Sequence, residues 1–243
     1  MKKRIHLHKL FITTALLLAA VSTFATGEDG EKQKTYSKSY PVKPGERISV
    51  NNQFGEVKIS TWDKQEVKID VTITTHATSD EKAQSILDGI TIQDGRDNEG
   101  VYFKTNMERN NNRTEWKGDK DKGDKDKSDK ERIKREAREG RDDRKGGRNE
   151  GMEINYTVTM PAGNPLNLTN QFGKSLVPDL SGPVTITQKF GDLIAGNLSN
   201  LKDLHVEFGS ATVESISNGK VTVKFSKATI KKMTGAIKSN FEF

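Results

Sequence analysis

The 243-residue chain contains no cysteine. That single absence removes thiol nucleophiles, disulfide frameworks, Cys-ligated zinc, iron–sulfur clusters and an acylated lipoprotein cysteine. It says nothing about compartment, because a chain without thiols suits either redox state. Apolar residues are also scarce. A hydrophobic share of 32% beside 30% charged residues is low for a compact enzyme of this length, so part of the chain is not expected to pack. Long hydrophobic runs are missing except for one, at residues 10–24.

That run follows Lys2, Lys3, Arg4 and Lys9, with no acid among them, and leads into Ala25-Thr26-Gly27. A basic start, an apolar stretch of this length and a small residue at the cut describe a secretory signal peptide over residues 1–25. A membrane anchor needs about 20 apolar residues, and this run is shorter and broken by Thr13, Thr14, Ser22 and Thr23. Removing the leader leaves 36 basic against 34 acidic residues, so the formal charge of +6 falls to +2. The electrostatic footprint of a nucleic-acid binder largely disappears with it.

The mature chain divides by composition into a β segment within residues 26–107, a charged insert at 108–151 and a repeat region at 152–243. In the β segment, Val67, Ile69, Val71 and Ile73 alternate with Lys68, Asp70 and Thr72, the period of a half-buried strand. Residues 47–57 read as extended chain interrupted at Asn51-Asn52. Residues 80–88 read as a short helix capped by Ser79, opened by acids, with Ala83, Ile86 and Leu87 on one face and Gly89 at its end. Strands are expected at 90–92 and 101–103.

The insert holds 16 Lys/Arg and 13 Asp/Glu, with Trp116, Ile133 and Ala137 as its larger apolar residues. It cannot bury enough surface to offset its chain entropy and is expected to be a disordered or transiently helical excursion. Asp119, Asp121, Asp124, Asp126 and Asp129 resemble a calcium loop only superficially. A loop starting at Asp119 would need its bidentate Glu at Lys130, and one starting at Asp124 would need it at Arg135. The run reads as a solvated charge tract, with no metal assigned.

Self-similarity is the strongest signal. Phe172-Gly173, Phe190-Gly191, Phe208-Gly209, Phe225-Ser226 and Phe241-Glu242 recur at 16–18 residues, and Asn170-Gln171-Phe172-Gly173 repeats Asn52-Gln53-Phe54-Gly55. Leu180, Leu198, Ile216 and Met233 each follow their Phe by eight residues; Val213 and Ile230 follow theirs by five. The pairs Val184/Ile186, Leu204/Val206 and Val221/Val223 close their repeats as period-two strands. Repeats of this length cannot bury an inward face alone and must stack. The expected fold is therefore all-β: a single-stranded, right-handed β-solenoid-like stack with one short N-terminal helix and the long insert, preferred over a β-sandwich. Each Phe is expected in an internal ladder, with the following Gly supplying the turn conformation. The repeat region is expected to be incomplete at its C-terminal end, through truncation or through cover by another chain.

Chemistry is hard to find. The mature histidines, His76 and His205, read as solvent-exposed and without ligand-spaced partners. Asp192, Asp203, Glu207 and Glu214 are outward acids, but dispersed, so a glycan-processing enzyme is an alternative without an assigned pair. Trp62 and Trp116 read as locally packed. No catalytic, cofactor-binding or metal residues are assigned, no cofactor is implied, and the chain is expected not to be an enzyme.

The Asn-Gln-Phe-Gly turns, the short Val/Ile-rich strands, the helix at 80–88, the leader and the Met160-Pro161 turn after residues 153–159 together resemble the "putative adhesin" family. These are exported bacterial β-solenoid domains of unknown function, abundant in Bacteroidetes. The resemblance covers about 40–107 and 152–243 and implies an exported cell-envelope or surface module that binds a glycan or protein through its solenoid face. It carries over no site residues. An envelope scaffold or stress component docking a partner through the charged insert is a further alternative. Nucleic acid is not an expected partner, nor is a stable membrane span after leader removal; periplasm, outer surface and medium all fit.

Overall fold

The computed structural model describes residues 30–108 and 150–242. The leader, the Asp run, Trp116 and nearly all of the charged insert lie outside the described residues. The described chain is mostly β with one short helix, arranged in a single mixed, nearly closed, barrel-like sheet. Its elements are β1 (Gly30–Pro41), β2 (Arg47–Asn52), β3 (Val57–Trp62), β4 (Glu66–Ala77), α1 (Asp80–Asp88), β5 (Ile90–Arg96), β6 (Gly100–Met107), β7 (Gly151–Pro161), β8 (Leu166–Asn170), β9 (Ser175–Val177), β10 (Leu180–Lys189), β11 (Asp192–Glu207), β12 (Ser210–Lys224) and β13 (Lys227–Glu242).

The repeats pair in parallel, one unit apart. Ile186 lies opposite Leu204 and Leu204 opposite Val221, while Leu198 lies opposite Ile216 and Ile216 opposite Met233. Each unit has a strand that enters a corner, the Phe-Gly corner itself, and a strand that leaves it. β2, β8, β10 and residues 203–207 of β11 form the entry face. β3, β9 and residues 192–195 of β11 form the exit face. The long strands β11, β12 and β13 run from one face to the other, with register shifts where they cross. Alternation then places Val50, Leu168, Ile186, Leu204 and Val221 in one buried column, and Ile59, Val177, Ala195 and Val213 in another facing it. Burial of such columns is the main favourable term for a sheet that no single repeat could stabilise.

The first segment joins this sheet directly. β2 pairs with β8 although more than a hundred residues separate them, so the Phe54 corner stacks on the Phe172 corner. β6 and β7 flank that first unit in parallel, β6 on β2 and β7 on β3. The antiparallel strands β4, β1 and β5 extend the two outer edges. Ser79 caps α1 by accepting from the Lys82 amide, and Ala83 and Leu87 are buried beneath it. The sheet nearly closes through side chains: Tyr36 and Tyr40 on β1 both donate to the Asp94 carboxylate on β5. Burial, then the bond to Asp94, pushes the Tyr40 phenol up to about 12 and Tyr36 higher.

Four expectations are corrected by this register. The Phe side chains do not form an internal ladder: Phe172, Phe190, Phe208 and Phe225 are exposed. They sit at corners, where strand alternation is interrupted and period-two reasoning loses its phase. Phe241 is not the next member of their series, because it lies opposite Val223, and Glu242 lies opposite Lys224. Asn51 and Asn52 do not interrupt their strand; both belong to β2, with Asn52 fully buried. Ile186 also aligns with Leu204 rather than with Val206, since the entry strands absorb a bulge.

Glycine follows Phe for a different reason at successive corners. Gly55 and Gly173 have positive φ. At Gly191 and Gly209 the positive φ has moved to the preceding residue, Phe190 (φ 50°) and Phe208 (φ 54°), and Phe225 (φ 46°) follows suit. What the glycine corners from Gly173 onward share is crowding: a Cβ on Gly191 would lie 1.9 Å from the Gly173 carbonyl oxygen, and one on Gly209 2.0 Å from that of Gly191. Gly191→Ala should therefore lower the unfolding free energy by about 3 kcal/mol, the upper part of the overpacking range. Gly163→Ala, where a Cβ would meet only the Ser181 hydroxyl at 3.9 Å, should change it by less than about 1 kcal/mol. Chemical denaturation of both variants checks the contrast; equal effects would mean that the corner contacts are not formed.

Candidate functional site: an outward phenylalanine ladder and a polar face

The corner motif becomes intelligible residue by residue. Its Asn points inward: the Asn52 amide donates to the carbonyls of Phe54 (3.1 Å) and Ile154 (2.9 Å), and Asn170 to those of Gly55 and Lys174 (both 3.2 Å). Gln188 takes the same column position and donates to the Gly173 carbonyl at 2.7 Å. Thr105, Ser175 and Tyr156 complete this buried polar row, with Thr105 donating to Asn52 at 3.0 Å and Ser175 to Gln188 at 2.6 Å. Carbonyls that a turn would leave unpaired are thereby satisfied from inside. In the last two repeats the column changes to Val206 and Val223, and the row becomes apolar.

With Asn or Gln inside, Phe is outside. Phe54, Phe172, Phe190, Phe208 and Phe225 stack ring upon ring, with centroids 4.9–5.1 Å apart and planes within 7–11°. This is the spacing of hydrogen-bonded strands, so the ladder is imposed by the sheet. Phe54, at one end, is half-buried; the other four are exposed. Neighbouring rings cover one another's faces and leave the edges to solvent.

Charged rows run on both sides. Before the corners, Lys189 pairs with Glu207 (2.9 Å) and Lys224 with Glu242 (2.9 Å) on adjacent strands, and His205 Nε2 approaches Glu207 at 3.3 Å. After the corners, Ser210 donates to Asp192 at 2.6 Å. Alternating signs along a stack favour this register over a one-unit slip.

Away from the corner, the entry face presents two outward columns, Ser49–Asn167–Thr185–Asp203 and Asn51–Thr169–Thr187–His205. All eight residues are half-buried, as expected for side chains standing on a flat sheet. At the start of this face lies an open groove of about 620 Å³ lined by Arg47, Asn98, Asn167, Thr185 and Lys202, among others. Arg47 pairs with Glu99 at 2.7 Å beside it.

The acids singled out from sequence do not converge. Asp203 pairs with Lys220 (3.9 Å), Glu207 with Lys189 and Glu214 with Lys231 (2.6 Å). Asp203 and Glu207 share one strand but pair towards opposite neighbours, Asp203 with Lys220 on β12 and Glu207 with Lys189 on β10. Asp192 and Glu214 belong to the exit face. His205 points outward as expected, but it does have a carboxylate neighbour, Glu207; His76 lies on β4, 3.7 Å from Glu31. Trp62 packs locally, donating to the Glu66 carbonyl at 2.7 Å under Lys64. Among the described residues, no cluster of three or more metal-ligating side chains occurs. Sequence reasoning missed the inward Asn/Gln row and the outward Phe ladder. The signal was present in the motif itself, where a polar side chain recurs two residues before each of the first three aromatics.

No protein-family model matches the chain, and no curated protein matches it. Solved structures similar to it include a putative cell adhesion protein from Clostridium sporogenes, at 8% identity and TM-score 0.29, over 86% of this chain and 99% of that one. A putative adhesin from Bacteroides fragilis has 13% identity and TM-score 0.27, over 86% and 96% respectively. One from Parabacteroides distasonis has 11% identity and TM-score 0.31, over 86% and 80%.

The charge row yields a pH expectation. Hydrogen bonds from Lys189 and then His205 hold the Glu207 carboxyl below the ordinary glutamate range. A carboxylate depressed in the folded state contributes stability that is present above its unfolded pKa and lost as pH falls through the folded value. Glu207 should therefore titrate below 4.5 in a carbon-detected NMR titration, and Glu207→Gln should flatten the decline of Tm on acidification below that pH. An ordinary glutamate midpoint would show that the Lys189–Glu207 pair does not persist in solution.

Proposed function

We propose that the chain is an exported, non-enzymatic cell-envelope or surface interaction module, adhesin-like, that binds a glycan or protein through the entry face. The observation that carries this reading is that face itself: two in-register columns of Ser, Asn, Thr, Asp and His side chains beside an open polar groove. Side chains held on rigid strands offer donors and acceptors at fixed spacing, so little ordering entropy is lost on binding. We read the parallel repeat units as rungs of a right-handed β-solenoid, a reading supported by their one-unit register. The non-enzymatic assignment is supported by the separation and pairing of Asp192, Asp203, Glu207 and Glu214. Export is supported by the composition of residues 1–25. Among the described residues no helix is long and apolar enough to cross a membrane.

The test is capture on a glycan array and on immobilised envelope proteins, with three forms of the chain: unaltered, Asn167→Ala with Thr185→Ala, and lacking residues 108–151. The face reading expects specific capture that falls at least about tenfold in the double variant, the loss of two or more hydrogen bonds, and survives the deletion. Capture lost with the insert and kept by the double variant would assign function to the charged segment. Turnover of a captured glycan would overturn the non-enzymatic assignment.

A further inference from the structure

Seven large apolar side chains are exposed among the described residues, and four of them are Phe172, Phe190, Phe208 and Phe225. They form one continuous ridge, and the polar-face reading does not use it. Stability alone does not account for it: Phe190, Phe208 and Phe225 hold a left-handed backbone that Asn or Gly would adopt with less strain, yet Phe stands at each corner.

The form of the ridge narrows what could cover it. It is convex, because it lies on the outside of the corner where entry and exit faces meet, and it is one ring wide. With the four rings 43%, 48%, 46% and 54% exposed, it offers roughly 400 Å² of apolar surface, taking about 200 Å² for each ring. A stable protein interface needs about 800 Å² from each partner. Two such ridges meeting edge to edge would bury less than that, which argues against a second copy. Both faces of Phe172, Phe190 and Phe208 are occupied by neighbouring rings, so a sugar face or a cation could stack only on the outer face of Phe225 and not along the ridge. The flanking charges are largely spent on each other, Lys189 on Glu207 and Lys224 on Glu242, which leaves little net field to attract an anion. What suits a narrow, convex, apolar and electrically balanced ridge is a partner that deforms around it.

We propose that the Phe172–Phe190–Phe208–Phe225 ridge inserts into the interfacial layer of a lipid bilayer. Apolar side chains enter this layer by about 5–10 Å, the depth of one exposed Phe row. Lys174 and Lys227, exposed on the exit side of the first and last of these corners, have aliphatic stems that can lie along the acyl boundary with their ammonium groups among the headgroups. Because the driving force is apolar area, contact should need no anionic lipid and should resist salt.

The experiment uses the full chain and a local reporter, since the apolar leader could itself attach the protein to a vesicle. In a chain whose own Trp62 and Trp116 are replaced by Phe, so that the introduced indole is its only one, Phe208→Trp places the reporter on the ridge and Thr229→Trp places a control on an exposed position of β13. Each is mixed with phosphatidylcholine vesicles carrying brominated acyl chains. The expected result is a blue shift and at least about twofold quenching for Phe208→Trp, little for Thr229→Trp, and loss of the ridge signal when Phe172, Phe190 and Phe225 are replaced by Asn. The quenching should be unchanged from about 0.1 to 1 M salt, although the Debye length falls from about 10 to 3 Å. Quenching no greater than that of the control, or quenching that persists in the Asn variant, would overturn the proposal. Phe208→Trp emission that shifts with protein concentration in the absence of lipid would overturn it in favour of self-association. Glycan or protein capture by the entry face uses other residues, so either outcome leaves that reading standing or falling on its own test.

Discussion

The fold depends on one close approach repeated at the glycine corners: the carbonyl oxygens of Gly55, Gly173 and Gly191 lie 1.9–2.0 Å from where a Cβ on the glycine of the next corner would stand. That contact sets the distance between successive corners and fixes the parallel register on both faces at once. Everything periodic follows from it. The rings come within 5 Å of one another, lysine meets glutamate on the adjacent strand, and the apolar columns align, because the corners cannot slip. Ser226 takes the glycine position of the fifth corner, and its hydroxyl bridges the Gly209 amide and the Lys224 carbonyl. It thus uses the side chain to tie two corners together.

The corners also divide labour between inside and outside. In the first three corners an inward Asn or Gln satisfies turn carbonyls and in the last two Val fills that column, while the left-handed conformation passes to Phe one corner earlier, at Phe190. A left-handed Phe is costly, and ring stacking of about 0.5–1.5 kcal/mol per pair offsets part of that cost. The same stacking turns five separate side chains into one surface feature with a shape of its own. The proposed membrane contact therefore uses residues that also hold the stack together, and it leaves out the polar entry face.

Much of this was legible in the sequence, and the limits have physical causes. The strand from Val67 to Ile73 shows its alternation because one face is buried along its whole length, and α1 shows its cap, acids and apolar face within ten residues. The column Leu180–Leu198–Ile216–Met233 was readable because its members keep a constant distance from each Phe. The orientation of Phe was not readable, because at a corner the backbone turns through a left-handed residue and hydropathy no longer reports direction. β1 was missed for another reason. It is an outer strand rich in lysine, held by Tyr36 and Tyr40 reaching Asp94, so it has no apolar alternation to detect. The site was less legible than the fold, since its Asn, Thr and Phe residues acquire meaning only when stacked.

The outward ladder is the central claim, and residue-resolved radical footprinting of the folded chain tests it most directly. The account predicts that Phe172, Phe190, Phe208 and Phe225 are modified at rates within a few-fold of the unfolded chain, while buried Phe103 is strongly protected. Protection of all five rings to the same degree would contradict it. The phenylalanines would then lie inside the stack, and the surface proposed to meet a membrane would not exist.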